Sequence, residues 1–508
     1  MKASDQKEFR MNRVRFFRVI NAAAFFILTF AQIIIVSWIS ISQEPKVEPW
    51  KPLPSLIGIE GNPRILGFFI SINPFADLQQ TAVLVLLTAG LQLLLLAFLV
   101  SIVFSNKNMI QIYPEPLYGP AYAAEEAPTV DRTVQLVSRM AARVNIKVTK
   151  IFVYRKAVPN AFSLDLLPIP FFRRPYLVLN TNVLEILSDH EIEAVIAHEL
   201  AHVSHGDSLV RLVLSIPRLF LNLAYIFIYL QIFTGILNAV FDSFNTLAAI
   251  ERMLFLALIY LVVAIVTRFT LKFLYAANHQ AEYLADFFSA QLVGAEVLIN
   301  ALIHLGQRSE AMQVLTREIE WLESLSYEKK PSVSFTRGIY QRFPKTQLDE
   351  DVAREIAPRL FLEEKLDQLV KNYGIELDTE MRDQLIAHAV PTLLQRRAKY
   401  FADLDDQNQD LTPTTLKQKT IDWRHFDSDS NQFLDTEEIE GFIGTLITER
   451  EKMVFEHELF QIPEGDEDHP SFRDRILKIF RIYYPDRYQN IVQVSKESDD
   501  KPQPGMSA

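Results

Sequence analysis

The chain has 508 residues, no cysteine and a formal net charge of −11, with 49% hydrophobic and 22% charged residues. The lack of cysteine excludes a disulfide framework and any thiolate metal site, and the acidic balance shows no footprint for nucleic acid. The length allows two or three domains, and the hydrophobic share is high for so charged a chain.

Residues 1–18 are basic, with Lys2, Lys7, Arg10, Arg13, Arg15 and Arg18 ahead of an uncharged apolar run over 19–43. Further apolar runs cover 78–106, 219–241 and 253–267. Crossing a hydrocarbon core about 30 Å thick takes about 20 helical residues, so the first three predict transmembrane helices. The fourth is shorter, and by hydropathy alone a buried helix competes with a span. The run at 19–43 exceeds a usual signal-peptide core and no small-x-small cleavage site follows, so it reads as an uncleaved span. The basic residues predict a cytoplasmic N-terminus, which makes 44–77 an external loop, where Glu44, Glu48, Glu60 and Asp77 outnumber Lys46, Lys51 and Arg64.

Residues 107–208 have the pattern of a soluble domain. Thr129 to Val144 predicts a helix, while Val148 to Tyr154 and Tyr176 to Leu179 predict strands. Pro159-Asn160-Ala161-Phe162-Ser163 reads as a turn leading into an edge strand. Ser188 and Glu191 then form a capping box at the start of a helix with Ile192, Val195, Ile196, Leu200 and Val203 at helical spacing. On that helix His198 and His202 lie four residues apart on one face, where two imidazoles can reach one metal ion. Glu199 lies beside them and can hold a water without ligating the metal, the geometry of a hydrolytic zinc site. The competing reading is a surface helix that carries two histidines. His205 lacks the Gly and second His of the longer zinc motif, since position 208 is Ser208, and reads as a helix-end histidine.

Downstream, Asn278-His-Gln-Ala-Glu282-Tyr-Leu-Ala-Asp286 is a second helical pattern with two acids on one face. Glu282 completes a two-His, one-Glu ligand set, and Asp286 would fix a ligand imidazole through its other nitrogen. His202 and Glu282 must then share one side of the membrane, so the spans between them are even in number. That makes 209–273 a hairpin of two transmembrane helices, with Asp242 to Arg252 as its outer turn and Arg268 and Lys272 at the inner surface. Residues 274–306 carry the third ligand.

Residues 307–400 form a charged, mostly helical insertion broken at Pro331, Pro344, Pro358 and Pro391. Within 401–450, Asp427, Asp429, Asn431, Asp435 and Glu438 place oxygen ligands at loop positions 1, 3, 5, 9 and 12 of an EF-hand. Phe433 offers a carbonyl at position 7 and Leu434 the apolar residue at position 8. Leu416 to Phe426 and Glu437 to Ile447 are the predicted flanking helices. The departure is Gln432 at position 6, where Gly is usual; a left-handed Gln costs about 1–2 kcal/mol, or about tenfold in affinity. A helix-loop-helix that has lost its Ca2+ is the alternative. Asp405 to Pro413 resembles a degenerate partner loop. In 451–494, Pro470 starts an amphipathic helix through Ile482, and 495–508 is a polar tail expected to be disordered.

Together, the His198–His202 pentad, Glu282 with Asp286, Asn160-Ala-Phe162, the lead-in from Val178 to Leu187 and His469-Pro-Ser-Phe-Arg-Asp-Arg475 resemble the HtpX-type membrane zinc metalloproteases, relatives of the CAAX prenyl endopeptidases. The resemblance covers roughly 10–305 and 455–490 and leaves 307–450 outside. It implies a mainly α, polytopic membrane protein. Four transmembrane helices would carry a cytoplasmic gluzincin-like α+β protease domain, to which the residues themselves add a helical EF-hand-like insertion outside the resemblance.

It further implies one Zn2+ per chain on His198, His202 and Glu282, with Glu199 as general base. Asn160, Ala161 and Phe162 would line a groove that binds an extended peptide, and His469 or Arg475 would steady the oxyanion. Substrates would be proteins or peptides, above all membrane proteins, met at the cytoplasmic face of a bacterial-type cytoplasmic membrane, with the lipid bilayer as the other partner; Ca2+ as modulator is the expectation from the 427–438 loop, not from the resemblance. Two alternatives remain: a CAAX-type endopeptidase, disfavoured by only four spans, and a non-catalytic calcium-sensing scaffold with a structural zinc, disfavoured by Glu199.

Overall fold

Strand β1 (Met109–Tyr113) pairs antiparallel with β2 (Lys150–Tyr154), and β2 runs parallel to β4 (Pro175–Asn180). Strand β3 (Ala161–Asp165) takes the far edge, giving the order β1-β2-β4-β3. This computed structural model describes residues 109–114, 126–155, 159–165, 175–207, 278–325, 350–373, 378–406, 422–448 and 470–499, with scattered helical positions between 15 and 276. The chain divides into two compact units, one of residues 1–106, 165–173 and 206–281, the other of 107–164, 174–205 and 282–508. In the first unit little beyond scattered helical positions is described. The four apolar runs lie almost wholly outside the described residues, among which no helix is long and apolar enough to cross a membrane.

In the second unit the two central strands bury consecutive residues, Ile151 to Val153 and Leu177 to Leu179. Continuous burial is what strands covered on both faces require. Helix α1 (Ala127–Arg143) starts with Pro128 in its first turn, where a missing N–H costs nothing, and packs through Leu136, Val137 and Met140. A short helix α2 (Thr181–Ile186) leads to α3 (Asp189–His205), which packs on α1. The capping box at its start is reciprocal: Glu191 N donates to Ser188 Oγ at 3.4 Å, while Glu191 Oε2 accepts from Ser188 N at 2.8 Å and Ser188 Oγ at 2.9 Å. Gly206, at φ +72, supplies the left-handed residue that ends the helix.

Helix α4 spans 278–293, and Gly294 at φ +108 separates it from α5 (Ala295–Leu325). The first half of α5 lies in the main core against α3, while Ala311, Met312, Leu315, Ile319 and Leu322 of its second half build a separate apolar cluster. That cluster is shared with Ala353, Ala357, Leu360 and Phe361 of α6 (Glu350–Tyr373). Helix α7 (Thr379–Asp406) joins through Arg397, which holds buried Glu318 with two hydrogen bonds of 2.6 and 2.7 Å. The domain boundary expected at residue 307 therefore falls inside one continuous helix. Pro358 and Pro391, expected as breaks, lie within α6 and α7. A proline removes one helical hydrogen bond, and at Pro358 the burial of Ala357 and Phe361 on either side offsets that loss.

The segment expected as a helix over 416–426 is described only from Asp422, where Trp423–His425 form a single 3-10 turn. Asp422 caps it by accepting from Arg424 N at 3.0 Å. After the loop come α8 (Thr436–Thr448), α9 (Phe472–Tyr483) and α10 (Pro485–Asp499). Helix α10 corrects the expectation of a disordered tail from 495: it continues to Asp499, anchored where Tyr488, Ile491 and Val492 pack on the core. Asp405 and Asp406 belong to the last turn of α7, and the rest of the proposed partner loop lies outside the described residues.

Candidate metal centre

Three ligand-type atoms converge between α3 and α4. His198 Nε2 lies 3.2 Å from Glu282 Oε2 and 3.1 Å from His202 Nε2, and His202 Nε2 lies 3.3 Å from Glu282 Oε1. A tetrahedral zinc with bonds of about 2.0–2.1 Å keeps its ligand atoms about 3.3–3.4 Å apart, close to these separations. All three side chains are buried, Glu282 to 1% exposure. The helix places both histidines on one face, and the edge-on packing of their rings at 4.7 Å turns the two Nε2 atoms toward one point.

The other nitrogen of His198 is held from behind. His198 Nδ1 lies 2.9 Å from Asp286 Oδ1, one turn beyond Glu282 on α4. Asp286 accepts from Arg475 Nε at 2.9 Å and Arg475 Nη2 at 2.5 Å, a forked pairing that uses both carboxylate oxygens. With Nδ1–H turned to Asp286, the His198 lone pair at Nε2 is left facing Glu282 and His202. Burial pushes the Asp286 carboxyl up, but the Arg475 charge and the His198 contact outweigh it and hold the group below its ordinary range. Burial likewise lowers the His198 imidazole, and hydrogen bonding to Asp286 and Glu282 more than reverses that, so that with these protein groups alone its pKa lies above the ordinary value. Three carboxylates, Glu199, Glu282 and Asp286, share this dry space with one guanidinium, and a divalent cation would balance the excess. Donor set, spacing and charge therefore fit zinc.

Glu199 is 8% exposed, and among the described residues no hydrogen bond or salt bridge engages its carboxylate. Its backbone carbonyl accepts from Ser163 Oγ at 3.0 Å, which ties edge strand β3 to the helix beside the metal ligands. Asn160 O accepts from Asn180 N at 2.9 Å, so Asn160, Ala161 and Phe162 enter the sheet edge next to this centre. Ser163 escaped the sequence reading, although it follows Asn160-Ala-Phe162 directly. Arg475 lies on α9 with its guanidinium given to Asp286. His469 falls outside the described residues, and His205 packs edge-on against Phe288 at 6.3 Å, away from the three ligand atoms.

The loop at 427–438 has a different build. Asp427, Asp429 and Glu438 bring one oxygen each within 4.8 Å of one another. Glu438 folds back across the loop, accepting from Ser428 N at 2.7 Å and from Asp435 N at 3.0 Å. Hydrogen bonds from Ser428 and Asp435 hold its carboxyl below the ordinary range. Asp427 accepts from Gln432 N at 2.9 Å, Asn431 Oδ1 from Phe433 N at 2.7 Å, and Asp435 Oδ1 from Glu437 N at 2.8 Å. Gln432 takes φ +65, the left-handed turn that the sequence flagged, and Ser430 takes φ +57.

Comparison with known proteins assigns this architecture. Residues 128–343 match the family model of peptidase family M48, past residue 305, where the first stretch of the expected resemblance ends. The chain is 28% identical over 166 residues to Protease HtpX of Legionella pneumophila subsp. pneumophila strain Philadelphia 1, which covers 32% of this chain and 58% of that protein. It is 27% identical over 212 residues to a Protease HtpX homolog of Thermodesulfovibrio yellowstonii, covering 41% of this chain and 67% of the other. A Protease HtpX homolog of Campylobacter concisus is 28% identical over 142 residues, 28% of this chain and 43% of that one. The chain thus spans about half the length of the curated relatives it matches. No solved structure matches it. The family match encloses every residue of the buried cluster except Arg475, so the segment that builds the cluster is the segment similar to peptidase family M48 and to the HtpX proteases.

Proposed function

We propose that the protein is a zinc-dependent membrane endopeptidase that hydrolyses membrane or misfolded proteins at the cytoplasmic face. The observation that carries this reading is the convergence of His198, His202 and Glu282 at 3.1–3.3 Å next to Glu199 on the same buried helix. His198, His202 and Glu282 would hold the zinc, which when bound would supply Lewis-acid polarisation of the scissile carbonyl and a water of lowered pKa. Glu199 accepts the proton of the attacking water and returns it to the leaving amine. Asp286 keeps His198 in the tautomer that presents Nε2. Arg475, held by Asp286, keeps that carboxylate charged and aimed rather than reaching the oxyanion, a role left to His469.

An extended peptide laid along β3 would donate and accept backbone hydrogen bonds there, with Asn160, Ala161 and Phe162 setting its register and Ser163 anchoring the strand. Membrane attachment rests on the four apolar runs, and the basic N-terminus sets the orientation. A hairpin of two spans between His202 and Glu282 would let both residues serve one centre on the same side of the membrane. We further propose that Asp427, Asp429, Asn431, the Phe433 carbonyl, Asp435 and Glu438 bind Ca2+ and that this modulates the protease; the ligand spacing and the folded-back Glu438 support it.

The test is casein cleavage by the detergent-purified protein. Cleavage should stop on zinc chelation, return with added Zn2+, and be absent in His202→Ala, which should also lose its zinc. Undiminished cleavage by a zinc-free preparation would sink the proposal.

A further inference from the structure

Helix α5 carries a polar stripe inside an otherwise apolar stretch: Glu296, Asn300, His304 and Gln307 follow at helical spacing on one face. Asn300 is 0% exposed, and His304 and Gln307 are buried. Each member receives one part of the segment 422–448. Thr436 Oγ1 donates to Glu296 Oε1. Asn300 Oδ1 accepts from Leu434 N at 2.7 Å and Asn300 Nδ2 donates to Leu434 O at 2.8 Å, so one side-chain amide pairs with a residue's backbone as a neighbouring strand would. The ring of Trp423 packs edge-on against His304 at 4.7 Å, and its Nε1 donates to Gln307 Oε1.

The stripe also reaches the catalytic helix. On its far side His304 Nδ1 lies 2.8 Å from Glu191 Oε1, an ion-pair distance with an off-line approach, and the other oxygen of Glu191 closes the capping box with Ser188. His198 stands about two turns further along α3. At the other end of the segment, Arg473 of α9 donates to Leu446 O at 2.7 Å, two residues before Arg475. An apolar stripe would seat this segment at less desolvation cost; buried polar partners instead select one register.

We propose that this stripe transmits the docking of segment 422–448 to the metal centre, with His304 as a positioning residue that sets the first turn of α3 through Glu191. The proposal rests on the endopeptidase reading for its activity arm only. Whatever orders the loop 427–438, a cation included, acts on the centre by this route.

The experiment compares the full-length detergent-purified protein with His304→Phe, which keeps a ring against Trp423 and loses the Glu191 partner, and His304→Gln, which keeps a donor for Glu191. His304→Phe should lower kcat for casein about tenfold with KM within about twofold and zinc content unchanged. Amide exchange at residues 189–192 should rise about tenfold. His304→Gln should recover most of both losses. Unchanged exchange in His304→Phe, an unchanged kcat in an active background, or a loss that follows zinc content would overturn the proposal. Should His304→Phe fail to fold, Trp423→Phe, which removes the indole donor and part of the ring while keeping an aromatic face toward His304, should shift both readouts the same way by less; no shift would count against the coupling. A parent that holds zinc yet cuts nothing would count against the endopeptidase reading, while the exchange arm still decides the coupling.

Discussion

Among the described residues the chain holds two clusters of metal-type ligands, and they are made differently. His198, His202 and Glu282 are buried on packed helices, with Asp286 and Arg475 fixing them from behind. Asp427, Asp429 and Glu438 stand on a partly exposed loop, each held by hydrogen bonds from backbone and side-chain groups of the same loop. Burial raises the cost of every unpaired charge, so in the first cluster each support carries weight, and the donors are set before an ion arrives. In the second, water can replace a missing ligand, and backbone conformation decides how well the oxygens gather.

The largest expected contrast follows from deleting one supporting carboxylate in each cluster. Asp286→Asn strands the Arg475 guanidinium and loosens His198, and should cost about 10–100-fold in zinc affinity or casein turnover, read by competitive chelation and initial rates. Asp429→Asn should leave zinc content and unstimulated turnover within about twofold while weakening Ca2+ binding measured by calorimetry. Equal losses of turnover from both variants would break the distinction. A smaller gain sharpens it: Gln432→Gly relieves the left-handed strain at φ +65 and should tighten Ca2+ binding about tenfold.

The smallest effect concerns Glu191. Burial raises its pKa, but the His304 and Ser188 contacts prevail and hold it below the usual 4.5. A carboxyl depressed in the folded state contributes stability above its unfolded pKa and loses that contribution as pH falls through the folded value. Thermal melts of the parent and Glu191→Gln should therefore differ near pH 7 and draw together below about pH 4.5. A gap that stays constant across that range would show that Glu191 acts only by packing.

How much of this could be read from residues alone depended on whether partners share a helix. The start of α3 was legible because Ser188 and Glu191 lie three apart, and the meeting of Glu282 with His198 because each helix repeats at four. Strands β2 and β4 showed as apolar runs. The seat of the 427–438 loop was not legible, since Asn300 and Leu434 are 134 residues apart and no local pattern pairs them. The only trace was a buried polar stripe in an apolar helix, which periodicity reads as a helix face without saying what covers it. Pro358 misled because local propensity gives way where tertiary packing surrounds the residue. The tail misled because Ile491 and Val492 anchor a helix whose last turn is polar.

The most direct measurement is casein cleavage by the parent and by Glu199→Gln at matched zinc content. Both proteins should hold one zinc, with turnover about 10²–10⁴-fold lower in the variant. Equal cleavage by the two proteins would contradict the assignment of Glu199 as the base and, with it, the account of the buried cluster as a hydrolytic centre.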